Sequence, residues 1–518
     1  QSLIAALAKD DRDRMVGFFR EGFQGSVIDG PATERHKGPI SEIRRRAKTT
    51  TAPAANVSQV IDALRKPIPK MKKIDRSKLR VLEIERVDEA SARWKAHLLI
   101  SFAGLDEKSL PFYWESEHWI ECTIEDEKTL NYAAFVDRWD IVSETEWHAE
   151  KWLMEEVTDD WGLNQVSIPD NWNLPNEQVE QYRFQVAVAD FDRDGDLDVI
   201  VAISSGPDDQ SQYARVPHLL ESDQGRFHDV AFDTHWNGAD FLCCSFDYNN
   251  DGWPDLMIGR RLYRNNSGKF VDVTAASGIK VEPECMGAVV ADYDCDGLLD
   301  LYLLYQVESG STEASQQLKW VDDDSGGENR LWRNLGDGRF EDVTKRASAG
   351  GGHRHTHAAA WFFYDDDHYP DLYLANDFGK NVILRNKGDG SFEDISHKTP
   401  ASDFATSMGV AIGDLDNNGR SDIYVANMYS KMGRRIIGQV CDADYPAGIF
   451  SQIKGSCAGN RLYLAGDDNG YRDVSTKVGV NSVGWAYAPA TVDLDNDGWL
   501  DLYATTGFQS FDRKKPDG

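Results

Sequence analysis

One phrase of sequence recurs six times from about residue 152 onward: a short apolar strand, an acidic loop and a second apolar strand. Its copies are VAVADFDRDGDLDVIVA, CCSFDYNNDGWPDLMIG, VVADYDCDGLLDLYLL, AWFFYDDDHYPDLYLA, VAIGDLDNNGRSDIYVA and ATVDLDNDGWLDLYAT. A second phrase alternates with it, as RLYRNNSGKFVDVT, RLWRNLGDGRFEDVT and ILRNKGDGSFEDIS, with weaker forms HLLESDQGRFHDV and RLYLAGDDNGYRDVS. Repetition of this kind restricts the chain to an array of similar units that bury their faces against one another. Strands of four to six residues joined by Gly, Asp and Asn turns, about four to a repeat, predict a β-propeller over residues 151–518; helical periodicity and βαβ alternation are absent. Seven blades are expected rather than six. LMEEVTDDWGL opens the array as a half-copy, and the last blade is expected to close with strands from both ends or with sequence beyond this chain.

Residues 1–150 follow another grammar. An amphipathic opening, LIAALAKDDRDRMVGFFREGF, leads through a polar, linker-like stretch to the alternating segments ARWKAHLLISF, PFYWESEHWIECTIE and TLNYAAFVDRWDIV. Helices first and a curved antiparallel sheet afterwards predict a smaller α+β, cone-shaped domain. Tyr113, Trp114, His118, Trp119 and Trp139 are candidates to line a pocket in it, against the plainer reading that they form its core.

The acidic loops carry the clearest chemistry. Asp190, Asp192, Asp194 and Asp198, with Gly195, spell D-x-D-x-D-G-x-x-D, and the same set recurs in four further copies. These are Asp247, Asn249, Asp251 and Asp255; Asp292, Asp294, Asp296 and Asp300; Asp414, Asp416, Asn418 and Asp422; and Asp493, Asp495, Asp497 and Asp501. Alternating carboxylates turn their oxygens inward as such a loop curls, the glycine allows the sharp turn, and a hard oxygen cage of this kind favours Ca²⁺ over zinc or copper. About five structural calcium ions are therefore expected. In the fourth copy Phe363 replaces the first acid and His368 the glycine, leaving Asp365, Asp367 and Asp371, so a weak or empty site is expected there. The plainer alternative is that such loops are hairpin turns held by side-chain-to-backbone hydrogen bonds; five copies in one register argue for the ion.

The run His353-Arg-His355-Thr-His357 is the sharpest signal outside the loops, because strand alternation would set three imidazoles on one side. Counting back from the loops puts Phe184, Phe241, Met286, His357, Met408 and Tyr487 at equivalent positions. His353, His355, His357, Met286 and Met408 thus form a candidate second site, for a ligand or for zinc or copper, at the mouth of a central channel. The alternative is a channel packed shut. No G-x-S-x-G, H-E-x-x-H, C-x-x-C or P-loop motif marks a catalytic centre, and no catalytic residue is assigned.

Charge bounds the partners. The 518 residues hold 87 acids against 56 lysines and arginines, a formal net charge of −31, which disfavours nucleic acid. No apolar run approaches the roughly 20 residues of a membrane-spanning helix. The start at Gln1, without an initiator Met, reads as either a removed signal peptide or a trimmed chain; the first is favoured, and with it a secreted, periplasmic or cell-surface protein is expected. Cys441 and Cys457 share a long loop, where a disulfide and two free thiols are both open.

The loops resemble the FG-GAP/VCBS repeats of integrin α-subunit-like propellers. The pairing of DxDxDGxxDLYVAN with LYRNxGDGxFxDVT looks most like proteins related to cartilage acidic protein, the ASPIC/UnbV group. The N-terminal segment is similar to NTF2-like domains, which implies dimerisation through it or a small-ligand pocket. The resemblance implies a calcium-binding, non-enzymatic module for adhesion or recognition of a protein or glycan. The alternative is a polysaccharide- or sugar-active enzyme of lyase or dehydratase type, with His355 and His357 in the central pocket.

Overall fold

The computed structural model describes residues 2–28, 30–37, 40–46, 54–87, 92–124, 134–152, 154–165, 183–204, 217–230, 242–307, 323–429, 441, 443, 445, 449–466 and 470–506. The chain divides into two compact units, Gln1–Glu156 and Val157–Ile437 with Cys441–Gly518.

The first unit opens with helices α1 (Ser2–Ala8) and α2 (Arg12–Val16). Strands β1 (Phe19–Ser26), β2 (Thr33–Lys37) and β3 (Ile40–Arg46) then precede helix α3 (Val57–Arg65). Asn56 starts α3 through a capping box: its side chain accepts the Gln59 N–H at 3.0 Å, and the Gln59 side chain accepts the Asn56 N–H at 2.9 Å. Val60, Ile61 and Leu64 lie on one face of α3 and are buried. Four long strands follow: β4 (Met71–Arg86), β5 (Arg93–Asp106), β6 (Pro111–Thr123) and β7 (Val136–Ala149). The sheet order is β2-β3-β7-β6-β5-β4, with β1 parallel to β7. The stretch expected as a polar linker thus holds three strands. The sequences TERHK and ISEIRRR of β2 and β3 are as charged as hairpins near a sheet edge commonly are, and that hides them from a search for apolar alternation.

Alternation along β6 sorts the aromatic candidates of this unit. Trp114 and His118 face the core and are buried, as is Trp139 on β7. Tyr113 and Trp119 point to the other face, where Trp119 stacks on His97 with ring centroids 4.5 Å apart. The five residues therefore do not line one cavity.

The second unit is a run of antiparallel sheets, each made in chain order. The first sheet pairs Arg183–Ala189, Asp198–Ser204, His218–Asp223 and Arg226–Val230. The second pairs Cys243–Phe246, Asp255–Ile258, Arg261–Asn265 and Phe270–Asp272. The third uses Cys285–Ala291, Asp300–Tyr305, Arg330–Asn334 and Phe340–Asp342. The fourth uses His355–Phe362, Asp371–Asp377, Val382–Asn386 and Phe392–Asp394. The fifth uses Ser407–Gly413, Asp422–Asn427, Arg461–Ala465 and Tyr471–Asp473. In the sixth, Ala486–Val492 and Asp501–Thr506 are the described strands.

Period-2 alternation gives every sheet two apolar faces, and successive sheets stack face to face. Leu301 and Leu303 of the third sheet pack toward Met257 and Leu262 of the second, while their neighbours Tyr302 and Leu304 pack toward Leu372 and Leu374 of the fourth. The two end faces stay open: Val186 and Val188 are exposed on the first sheet, and Val492 and Tyr503 on the sixth. A closed ring is therefore not formed among the described residues.

Candidate metal centres

Each acidic loop joins the first two strands of its sheet, and all but the fourth, which begins with Phe363, are shaped by the carboxylate of their own first residue. The carboxylate of Asp292 accepts the N–H groups of Asp296 at 2.9 Å and Gly297 at 2.8 Å. Asp190, Asp247, Asp414 and Asp493 accept the corresponding pair in their loops. The sixth residue sits at positive φ, +87° at Gly297 and +85° at Gly252, where a side chain would be strained. His368 takes that conformation in the fourth loop at φ 61°, without a glycine's freedom.

Among the described residues, four loops bring three carboxylates to one point, with ligand oxygens all within 4.8 Å of one another. The trios are Asp190, Asp192 and Asp194; Asp292, Asp294 and Asp300; Asp414, Asp416 and Asp422; and Asp493, Asp495 and Asp497. Asp251 and Asp255 stand in the second loop with Asp247, where Asn249 supplies a neutral amide at the third position. Asp294 Oδ1 and Asp416 Oδ1 are buried with no hydrogen-bond partner. A buried anionic oxygen without a donor is costly, and a hard cation is the group that a donor set of carboxylate oxygens satisfies. The residues present fit such an ion.

The ninth residue does something the sequence pattern did not reveal. Asp198, Asp255, Asp300, Asp371 and Asp422 are all fully buried. One oxygen of Asp300 accepts the Tyr293 N–H at 3.1 Å and the other the Asn334 N–H at 2.8 Å, which ties the loop to the third strand. The same two bonds recur at Asp198, Asp255, Asp371 and Asp422. Asp371 keeps them in the fourth loop, which has lost its first acid and glycine, so this bolt needs no ion. Burial pushes the carboxyl of Asp300 up to about 8, and those of Asp255 and Asp371 up to about 7, against the opposing pull of their two amide donors.

The third strand also sends charged side chains to the loops. Arg333 Nε donates to Asp294 Oδ2 at 2.6 Å and its Nη2 to Asp296 Oδ2 at 2.9 Å. Arg385 does the same in the fourth loop, to Asp365 Oδ2 at 2.5 Å and Asp367 Oδ2 at 3.5 Å. Beside that loop, Phe363 stands exposed at the edge of a cleft of about 510 Å³ that Asp365, His368, Asp414 and Arg420 also line.

The histidine run separates. His353 is exposed and His355 is buried, with Nε2 3.3 Å from Asp323 Oδ1, while His357 is half-buried at a bulge between Thr356 and Ala358. Met286 and Met408 occupy matching bulges, between Cys285 and Gly287 and between Ser407 and Gly409. The bulge breaks the strict alternation on which one-sidedness of the three imidazoles depended. Phe241 lies outside the described residues. Cys441 is exposed and Cys457 buried.

Residues 247–303 and 364–425, which hold the second to fifth loops, match the family described as FG-GAP-like repeat. Cartilage acidic protein 1 of Xenopus tropicalis is 22% identical over 283 residues, 48% of this chain; the match spans 40% of that protein's length. A crystal structure from Xanthomonas campestris pv. campestris, described as that of a polyketide cyclase, covers 27% of this chain and 84% of its own at 16% identity. Its TM-score is 0.16, and the likeness carries no weight for fold or activity.

Proposed function

We propose that residues 157–518 form a calcium-stabilised β-propeller that acts, outside the cytoplasm, as an interaction module for a protein or glycan. The observation that carries this reading is the convergence of three carboxylates in each of four loops, with buried oxygens of Asp294 and Asp416 left without donors. The FG-GAP-like repeats and the similarity to cartilage acidic protein 1 support the interaction role. Calcium supplies divalent charge that cross-links each loop; it performs no chemistry on a substrate. No described helix is long and apolar enough to cross a membrane.

The partner is assigned to the fourth loop. There the Asp371 bolt is kept without the first acid, and exposed Phe363 offers an apolar contact beside the cleft, which Arg420, ion-paired to Asp366 at 3.3 Å, also lines. The test is capture of glycans and of extracellular proteins by the full chain. Binding that survives in calcium, is lost in chelator and falls at least tenfold in Phe363→Ala supports the reading. Capture that ignores both chelator and substitution sinks it.

The N-terminal unit is read as an NTF2-like domain that pairs through the sheet face carrying Tyr113 and Trp119. Sedimentation of the full chain should show a dimer, and Trp119→Glu should give a monomer; equal mass for the two proteins would contradict it.

A further inference from the structure

One position on the third strands differs in charge from sheet to sheet, and it faces the acidic loops. Its register is fixed by hydrogen bonds: the N–H groups of Ser222, Asn265, Asn334, Asn386 and Ala465 each reach the ninth-position aspartate of their own sheet at 2.7 or 2.8 Å. The residues just before them are therefore equivalent: Glu221, Arg264, Arg333, Arg385 and Leu464.

What these residues do differs. Arg333 forks across Asp294 and Asp296, the third and fifth loop positions, and Arg385 forks across Asp365 and Asp367 in the same way. Arg264 Nη2 stands farther off, 3.7 Å from Asp251 Oδ2. In the first sheet the guanidinium is replaced by an acid. Glu221 lies within the field of Asp192, Asp198 and Asp194 and adds a sixth carboxylate to a loop that already holds five, Asp196 included.

We propose that this position sets each loop's affinity for a divalent cation: Glu221 is a further ligand of the first loop, and Arg333 is a resident counter-ion that the cation displaces from the third. The inference rests on the calcium reading of the loops and adds a gradation within it. Affinity in oxygen-ligand sites follows ligand charge count. With Glu221 the first loop presents six carboxylates, and the third presents four with a guanidinium among them. In the fourth loop, Arg385 takes over the bridging of two acids for good, because Phe363 stands where the first ligand would be. Exposed ion pairs often contribute little, but Asp294 is largely buried, with its side chain 15% exposed. Its Oδ2 is held by Arg333 while its Oδ1 has no partner.

Stepwise calcium constants of the full chain, from competition with a chromophoric chelator, test this in wild type, Arg333→Gln, Arg333→Lys and Glu221→Gln. Thermal unfolding in saturating calcium checks that each variant folds. The expected result is one constant about tenfold tighter in Arg333→Gln, restored to its weaker value in Arg333→Lys, and the tightest constant about tenfold weaker in Glu221→Gln. The opposite signs keep the test informative if one variant does not fold. Wild-type constants retained in both Gln variants would overturn the inference and leave the calcium reading standing. A wild-type chain that binds no calcium would overturn both.

Discussion

The ninth aspartate of each loop shows how one residue can serve two roles that the sequence runs together. Its spacing reads as a ligand, whereas its two oxygens are engaged by backbone amides in every one of the five sheets where both bonds are described. Removing it leaves two buried N–H groups without acceptors, at roughly 1–3 kcal/mol each. Asp371→Ala should therefore destabilise the protein by about 2–6 kcal/mol in urea unfolding, and by the same amount with chelator present. A cost that disappears in chelator would assign Asp371 to an ion instead. His118 makes a second residue-scale case. Trp139 Nε1 donates to its Nδ1 at 3.1 Å, and burial lowers its pKa to about 3 from an ordinary 6.5. The unfolded chain thus binds more protons between those values, so the neutral ring's contribution is complete above pH 6.5 and is lost as pH falls toward 3. His118→Gln should flatten the acid limb of the stability curve below pH 6.5; an unchanged slope would show that other groups set it. That role was not legible in the sequence, where core was the favoured reading over pocket, because strand alternation fixes which residues share a face but not what covers that face.

At the scale of elements, the third-strand asparagine fastens one sheet to the next. Asn334 is fully buried, and its Nδ2 donates to the Tyr248 carbonyl of the preceding sheet's loop at 2.7 Å and to the Leu299 carbonyl at 3.1 Å. Asn265 and Asn386 repeat the arrangement toward Phe191 and Tyr293. Asn334→Leu should cost about 2–5 kcal/mol, since two buried carbonyls lose a donor, and should broaden the unfolding transition as neighbouring sheets uncouple. A loss below about 0.5 kcal/mol, the range of an ordinary surface substitution, would contradict the staple. The sequence made the Leu-Tyr-Arg-Asn phrase conspicuous without explaining it, because its contacts run to the preceding repeat. Loop geometry, strand pairing and the degenerate fourth copy were readable, since each depends on neighbours within one repeat. The charged hairpin of β2 and β3 was missed for the converse reason: its pairing partner β7 lies about a hundred residues away.

For the whole molecule, the stacking rule leaves two faces of opposite sense. In each junction from the second sheet to the fifth, one face packs backward and the other forward; Val186 and Val188 present the unpaired backward face of the first sheet. Val492 and Tyr503 present the unpaired forward face of the last. Residues 157–163 repeat the turn that follows a fourth strand elsewhere: Gly162 has φ 76° and Gly278 φ 75°, and the bond from Trp161 N–H to Val157 O matches that from Ser277 to Val273. The turn sets this segment against the fourth strand of the first sheet, where the Phe227 N–H donates to the Trp161 carbonyl at 2.7 Å, the neighbour that the proposed propeller would need there. If the ring closes in solution, Val188→Asp should cost about 2–3 kcal/mol through buried charge and lost packing. A change within about 0.5 kcal/mol would mean that the face stays open to water. The central claim, that the acidic loops hold calcium, is tested most directly by metal content after extensive dialysis, measured by plasma mass spectrometry with thermal unfolding beside it. The account predicts about five calcium ions per chain, one for each loop that keeps its first acid and its glycine, and a marked loss of stability in chelator. A chain that carries no calcium and unfolds at the same temperature with and without chelator would contradict it.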